Sequence, residues 1–574
     1  MKNLIITLLA LLLFPLGAAV GQTNQTAQTN QETNSLTTGA SPAPTPELPL
    51  KLPSIIGDHM VLQQKLADPI WGWDQPGTKV TVSFAGKEYT ATAGNDGRWM
   101  VKLDPMPANT TPQTMTITGS SKRELTDILI GEVWLCSGQS NMKVSLAYTW
   151  NGDVEAASAN LPNLRLITVP NVGTQELQND FKGQWEASTP TTAAKFSAVG
   201  FYYGRLLLQI LNVPVGLIND SWGGSSAEAW VRRNSLEQDP HFKRLMEATV
   251  KKEASLNSAE GKQKYQEALT KWQAAVDQAK TDHKTPPAKP ASPESWLAGN
   301  GRPGNIFAGV LNPTIGYGIK GVIWYQGESN ASFAYEYNYL FSYLIEQWRK
   351  EWGQGNFPFY WVQLANYLPQ KPQPGDSTWA ELREAQTKTM QLTNTGQAVI
   401  IDIGEERTIH PKNKHDVADR LARWALANDY GMKMPYRSPE FQMLEISGNK
   451  ATVTIDCHGS KLLSFDNKPA DVQGFALCGE DGVWHWAQGK VVGANQNQVE
   501  LTSAEVAVPV AVRYAWADNP VCNLYSADGL PVTPFRTDNF PMVTAPKPSL
   551  SPASSPWQVA PGTSSQPSTT AQPR

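Results

Sequence analysis

The sequence predicts an α/β protein, a parallel sheet covered by helices on both faces, with a β region on either side of it. Three observations point there. Between about residues 130 and 434, short apolar runs alternate with segments long enough to be helices, the pattern of strands joined by crossover helices. From about 49 to 129, apolar residues recur at every second position, the period of a half-buried strand. From about 435 to 544 that period returns between turn residues.

Taken in order, the chain opens with the pattern of an export leader: Lys2, an apolar core from Leu4 to Leu16, then Gly17, Ala18 and Ala19. The leader is expected to end near residue 21, which makes the protein exported, periplasmic or extracellular. It is short for a membrane span, and no later stretch reaches span length. Residues 22–48 are Thr, Gln, Asn and Ser with Pro, a disordered linker by composition. The tail, 545–574, reads the same way. The first β region, 49–129, contains Lys79-Val80-Thr81-Val82-Ser83-Phe84, with turns at Gln75-Pro76-Gly77 and Asn95-Asp96-Gly97.

In the α/β region, 130–434, the strand-like runs are Glu132–Cys136, Leu164–Val169, Val215–Asn219, Gly321–Tyr325, Pro358–Leu364 and Ala398–Ile403. Helical periodicity marks Gly200–Leu211 and Tyr335–Trp352. Residues 234–290 interrupt the alternation with a Lys-, Glu-, Ala- and Gln-rich helical insertion ending in a Pro-rich turn. The C-terminal region, 435–544, has strands at Ala451–Ile455, Val499–Thr502 and Val508–Tyr514, with turns at Glu480-Asp481-Gly482 and Ala527-Asp528-Gly529, and is expected to form a β-sandwich.

Composition excludes some functions. The net charge is −4 and no basic stripe occurs, so nucleic acid is excluded as a partner. The 20 Trp and 17 Tyr residues are many; aromatic faces stack on sugar rings, although filling β-rich cores is their commoner use. Of the four cysteines, Cys136 lies in a strand and reads as a small buried hydrophobe. Cys457, Cys478 and Cys522 share the C-terminal region, so at most one disulfide can form among them.

The chemistry gathers at the ends of predicted strands, where open α/β sheets bind ligands. The run Val133–Cys136 is followed by a turn through Ser137 and Gly138, then by Gln139-Ser140-Asn141. A serine here, with backbone N–H groups beside it, suits nucleophilic acyl transfer; taken alone it also reads as a helix N-cap. After Val215–Asn219 comes Asp220-Ser221-Trp222-Gly223-Gly224-Ser225, whose glycines allow close approach and can supply an N–H to an oxyanion, or form a plain turn. After Gly321–Tyr325 comes Gln326-Gly327-Glu328-Ser329-Asn330, polar groups that are costly there unless they line a site or satisfy a loop. After the last strand, Ile409-His410-Pro411-Lys412 precedes a helix expected from Asn413, with Val417, Leu421 and Trp424 on one face. Of seven histidines, only His410 and His415 fall in the α/β core. His415 sits in the helix and is expected to be exposed, leaving His410 as the base for Ser140. No histidine pair has metal-ligand spacing and no cofactor motif occurs.

These residues resemble a known family. Gly131-Glu132-Val133-Trp134-Leu135-Cys136-Ser137-Gly138-Gln139-Ser140-Asn141-Met142 is similar to the signature of sialate O-acetylesterase-like carbohydrate esterases, part of the SGNH hydrolase group. Ser221–Ser225, Trp324–Asn330 and Ile409–Lys414 resemble its later blocks, and Ala511–Tyr514 with Leu530–Asp538 resemble its C-terminal region. The resemblance spans about residues 50–541 and implies a three-layer α/β/α core with a parallel sheet, flanked by N-terminal and C-terminal β domains. It further implies Ser140 as nucleophile and His410 as general base. The oxyanion hole would comprise the Ser140 N–H, a Gly223 or Gly224 N–H and the Gln326 side chain, with Glu328 as outer support.

The family often carries an acid two or three residues before the histidine. Here Thr408 and Arg407 stand there. The resemblance therefore implies either a Ser–His dyad oriented by a backbone carbonyl or recruitment of Glu405 or Glu406; Asp402 is nearby at the wrong spacing. The expected substrate is an O-acetylated sugar, with sialate 9-O-acetyl groups foremost and acetylated xylan or another polysaccharide as the alternative. A non-catalytic carbohydrate-binding protein with a decayed esterase core is the rival reading. A lipase or peptidase is disfavoured because no Gly-x-Ser-x-Gly surrounds Ser140.

Overall fold

The alternation of side chains along buried strands explains the layers. The computed structural model describes residues 49–465 and 469–546; the expected leader, the linker and the tail beyond residue 546 lie outside the described residues. The central sheet runs, edge to edge, Thr395–Ala398, Phe359–Val362, Gly321–Tyr325, Lys122–Gly138, Val215–Asn219, Leu161–Thr168 and Glu186–Ser188. Every pairing is parallel except that of the last, short strand. Successive residues point to opposite faces. Val133, Leu135, Val322, Trp324, Phe359 and Trp361 therefore pack with the helices Ala334–Trp352 and Thr378–Lys388. Trp134, Cys136, Ile323, Tyr325, Tyr360 and Val362 pack on the other face with Ala198–Leu211 and His415–Asn428.

The strand Lys122–Gly138 organises the molecule. Its first half pairs antiparallel with Asn109–Thr118, which continues into the N-terminal β region. It passes residue 129 without a break and becomes the middle strand of the parallel sheet. The strands that follow first in the chain add on one side of it, and Gly321–Tyr325 and its successors add on the other. A sheet whose growth reverses at one strand has a crevice at that strand's carboxyl end. Ser140 begins there.

The C-terminal region holds two four-stranded antiparallel sheets. One contains Glu440–Ser447, Lys450–Asp456, Gln498–Thr502 and Gln488–Val492. The other contains Trp484–Trp486, Phe475–Cys478, Ala511–Tyr514 and Phe535–Arg536. They share a core in which Val453, Ile455 and Val499 meet Phe475, Leu477, Val512 and Tyr514. Residues 234–290 contain the helices Lys243–Asn257 and Ala259–Thr281. All four cysteines are unpaired and Cys136 is buried. No helix among the described residues is long and apolar enough to cross a membrane.

Two local expectations need correction. The last parallel strand is Thr395–Ala398, several residues earlier than the apolar run Ala398–Ile403. That run is apolar because Val399 and Ile401 enter the C-terminal core rather than the ladder. The following helix starts at His415 instead of Asn413. The Asn413 side chain accepts from the Asp416 N–H and so stands ahead of the first turn.

Candidate active site

The turn that presents Ser140 depends on a glycine. The residues Val133–Ser137 are fully buried and the strand ends at Gly138, with φ at 127°. A Cβ at Gly138 would lie 2.2 Å from the Tyr325 carbonyl oxygen, so only glycine lets the chains approach this closely. The Gln139 N–H donates to that carbonyl at 2.8 Å, and Ser140 becomes the first residue of a one-turn helix, Ser140–Lys143. The loop after Val215–Asn219 closes on the same point. The Trp222 N–H donates to the Gly138 carbonyl at 2.9 Å, and Asn300 donates to the Gly223 carbonyl at 2.5 Å. A Cβ built on Gly223 would touch the Ser140 Cβ at 3.4 Å, which places Gly223 against the serine, and Gly224 follows at φ 73°. Among the described residues the Ser140 and Gly223 N–H groups donate to no acceptor. Two unspent donors therefore sit beside the Ser140 hydroxyl.

His410 meets that hydroxyl: its Nε2 lies 2.7 Å from Ser140 Oγ. Backbone and side-chain bonds hold the loop that carries it. The His410 N–H donates to Thr408 Oγ1 at 3.2 Å, Asn141 Nδ2 donates to the Ile409 carbonyl at 2.9 Å, and the Lys412 N–H donates to Glu405 at 2.8 Å. Burial, with a smaller contribution from the Lys414 charge, holds the imidazole below its ordinary pKa of 6.5. It is therefore neutral at pH 7, the state in which Nε2 can accept a proton.

Neither the backbone carbonyl of the expected dyad nor the carboxylate of Glu405 or Glu406 stands behind the histidine. Among the described residues His410 Nδ1 has no hydrogen-bond partner, neither a backbone carbonyl nor a carboxylate. Glu405 is occupied by the Lys412 N–H and Glu406 is exposed. Asp402 forms a two-point pair with Arg420, at 2.6 and 2.7 Å. Glu405 and Glu406 are thus near the loop without reaching the imidazole.

Gln326 also departs from its expected place. Its Nε2 donates to the Ser225 carbonyl at 3.2 Å and to Asn330 Oδ1 at 2.7 Å, while its Oε1 accepts from Tyr337 at 3.0 Å. An amide has two N–H donors, and both are spent. Gln326 braces the loop Ser221–Ser226 and is not free to bind an oxyanion. Glu328 lies closer to the chemistry: Asn141 Nδ2 donates to its Oε1 at 2.5 Å, and burial raises its pKa. Sequence reasoning passes over Asn141 and Lys414. Lys414 is fully buried and donates to Asn141 Oδ1 at 2.5 Å. The available signals are adjacency, since Asn141 follows Ser140, and a lysine one turn beyond His410.

The rim beside His410 is aromatic and cationic. The segment after the Ser140 helix returns to the His410 loop, where the Trp150 N–H donates to the Lys412 carbonyl at 3.3 Å. Tyr148 and Trp150 are 52% and 58% exposed. The Lys412 ammonium lies 5.4 Å from the Tyr148 ring centroid, and Lys143 is exposed three residues after Ser140. A cavity of about 790 Å³ lies elsewhere, lined by Asp402, Arg420, Phe465 and Tyr525 among others; Ser140 and His410 do not line it. Among the described residues no three His, Cys, Asp or Glu side chains are grouped to hold a metal ion.

Comparison with known proteins adds three findings. Residues 305–425 match a family model described as carbohydrate esterase, sialic acid-specific acetylesterase, a span that holds His410 but not Ser140. The chain is 29% identical to the sialate O-acetylesterase of Homo sapiens over 533 residues, 84% of this chain and 91% of that protein; the Mus musculus enzyme is 28% identical over 532 residues. Among solved structures, a carbohydrate acetylesterase from Xanthomonas citri superposes with a TM-score of 0.71 at 36% identity, covering 86% of this chain and all of that one.

Proposed function

We propose that this chain, which belongs to the sialate O-acetylesterase-like carbohydrate esterases, is an exported enzyme that removes acetyl groups from sugars with Ser140 as nucleophile and His410 as base. The observation that carries the reading is the 2.7 Å contact between His410 Nε2 and Ser140 Oγ, beside two unspent N–H donors. Ser140 Oγ attacks the acetyl carbonyl while His410 Nε2 takes its proton. The Ser140 and Gly223 N–H groups receive the oxyanion of the tetrahedral intermediate. The imidazolium returns the proton to the departing sugar oxygen, leaving an acetyl-enzyme, and water activated by His410 releases acetate. The export part of the proposal rests on the leader pattern of Met1–Ala19.

In this mechanism the base works without a carboxylate behind it. Glu405→Gln and Glu406→Gln are therefore each expected to keep activity within about threefold of wild type, because neither carboxylate reaches the imidazole. A fall of two orders of magnitude in either, with the fold intact, makes that glutamate a third member. The rival reading, a non-catalytic carbohydrate-binding protein, rests on the missing acid alone; the engaged Ser140–His410 pair weighs against it.

For the sugar, we propose that the exposed Tyr148 and Trp150 rings take a pyranose face and that Lys143 and Lys412 favour a substrate bearing a carboxylate. O-acetylated sialic acid fits that description, and acetylated xylan is the alternative. Trp150→Ala is expected to raise KM for an acetylated sugar about tenfold, the loss of one stacking contact of roughly 1.4 kcal/mol, while turnover of ethyl acetate, which has no ring, stays within about twofold. Steady-state kinetics on 9-O-acetyl sialate, acetylated xylo-oligosaccharide and ethyl acetate check both points. Preference for the neutral oligosaccharide overturns the sialate assignment.

A further inference from the structure

Among the described residues the imidazole of His410 has no acceptor at Nδ1, yet Nε2 sits within hydrogen-bond reach of Ser140. In a triad the acid fixes the tautomer and orientation of the ring. No ring contact does so among the described residues, but buried polar groups hold the backbone beside the ring. Asn141, directly after the serine, donates through Nδ2 to the Ile409 carbonyl at 2.9 Å and to Glu328 Oε1 at 2.5 Å. Its Oδ1 accepts from Lys414 Nζ at 2.5 Å. This amide has one possible orientation. An ammonium can only donate, so it must face Oδ1; a carbonyl and a carboxylate oxygen can only accept, so they must face Nδ2. The result is a link from the residue beside the nucleophile to the backbone beside the base.

A buried lysine is expensive to keep, which makes Lys414 the member that needs a reason. It is fully buried and its ammonium stands 5.2 Å from the Tyr325 ring centroid. The charged and titratable groups that face it are Glu328, after the strand Gly321–Tyr325, and Glu405 and His410, from the loop, together with Tyr325. Glu328 Oε2 is buried without a partner, so the Lys414–Glu328 attraction runs through the Asn141 amide instead of a direct contact.

We infer that Lys414 is a positioning residue for the reaction: through the Asn141 amide it holds the His410 loop against Ser140. The lysine thus supplies from behind the loop the fixed geometry that a triad acid supplies through the ring. It touches no reacting atom. Its ammonium stays charged up to about pH 7, so it is cationic while His410 titrates. Removing that charge makes the imidazolium easier to form, so His410 is expected to protonate at a higher pH and the acid limb of the rate profile moves up.

This inference rests on the Ser140–His410 reading, and the experiment separates the two. kcat, KM and the pH dependence of kcat/KM are measured on full-length enzyme with p-nitrophenyl acetate for wild type, Ser140→Ala, Lys414→Met, Lys414→Gln, Asn141→Ala and the Lys414→Met/Asn141→Ala double variant, each checked for a native thermal transition. Lys414→Met is expected to lower kcat at least tenfold with KM within about twofold, and to move the acid limb upward. Lys414→Gln, which keeps a donor and loses the charge, recovers most of that kcat and keeps the raised acid limb. The double variant is no worse than Asn141→Ala. Wild-type kcat in Lys414→Met, or losses that multiply in the double variant, overturn the inference while an inactive Ser140→Ala leaves the catalytic pair standing. If Lys414→Met does not fold, Lys414→Gln decides alone: a raised acid limb supports the inference and an unmoved one overturns it. A fully active Ser140→Ala defeats the underlying reading first.

Discussion

Ser140→Ala is expected to lower kcat/KM on acetyl esters by at least about three orders of magnitude while the protein melts within about 2 °C of wild type. The two halves of this result have separate causes. Chemically, the variant loses the hydroxyl oxygen placed 2.7 Å from the His410 Nε2, so no acetyl-enzyme is expected to form. What is expected to remain is the weak assistance of the unspent Ser140 and Gly223 N–H groups to an attacking water, a small remnant in serine hydrolases. Structurally, the turn depends on Gly138, on the Gln139 N–H to Tyr325 bond and on the Trp222 N–H to Gly138 bond, none of which uses the Ser140 side chain. Deleting one half-buried hydroxyl costs about 1 kcal/mol or less. Steady-state kinetics and thermal melting measured on one preparation check both halves, and residual activity within tenfold of wild type removes Ser140 as the nucleophile.

His410→Ala is expected to be nearly as damaging, and the Ser140→Ala/His410→Ala double variant no worse than the poorer single one. A nucleophile and its base act as a unit, so removing the second after the first removes nothing further. The environment sharpens the expectation: His410 is neutral at pH 7 through burial, and its loop is tied to Asn141, next to the serine. The measurement is kcat for wild type, the two single variants and the double one. Losses that multiply mean that the two side chains act independently.

Much of this arrangement is legible in the residues alone, and the exceptions have a common cause. Val215–Asn219 and Gly321–Tyr325 coincide with apolar runs because each is buried on both faces and bounded at once by turn or polar residues. Ser140, Gly223 and His410 stand where strand ends place them, and their convergence follows from a parallel sheet with its crevice at one strand. The last strand is misplaced by its own hydrophobicity: Val399 and Ile401 are apolar for the C-terminal core, a contact that local periodicity does not encode. The resemblance puts Gln326 in the oxyanion hole without showing which way its amide points; here Ser225, Asn330 and Tyr337 engage it. Lys414 escapes notice for the opposite reason. A lysine at the start of a helix ordinarily reads as solvated, and only the packing against Tyr325 and Asn141 shows that it is buried.

The central claim is that the acetyl group passes through Ser140, and rapid quenching tests it most directly. p-Nitrophenyl acetate acylates quickly because its leaving group is good, so deacylation becomes the slow step. Mixing it with enzyme and quenching within the first turnover is expected to give a burst of p-nitrophenol equal to the enzyme present, and peptide mass spectrometry is expected to find one acetyl group on Ser140. A burst with the acetyl group on another residue, or repeated turnover by enzyme that never carries an acetyl group, contradicts the account.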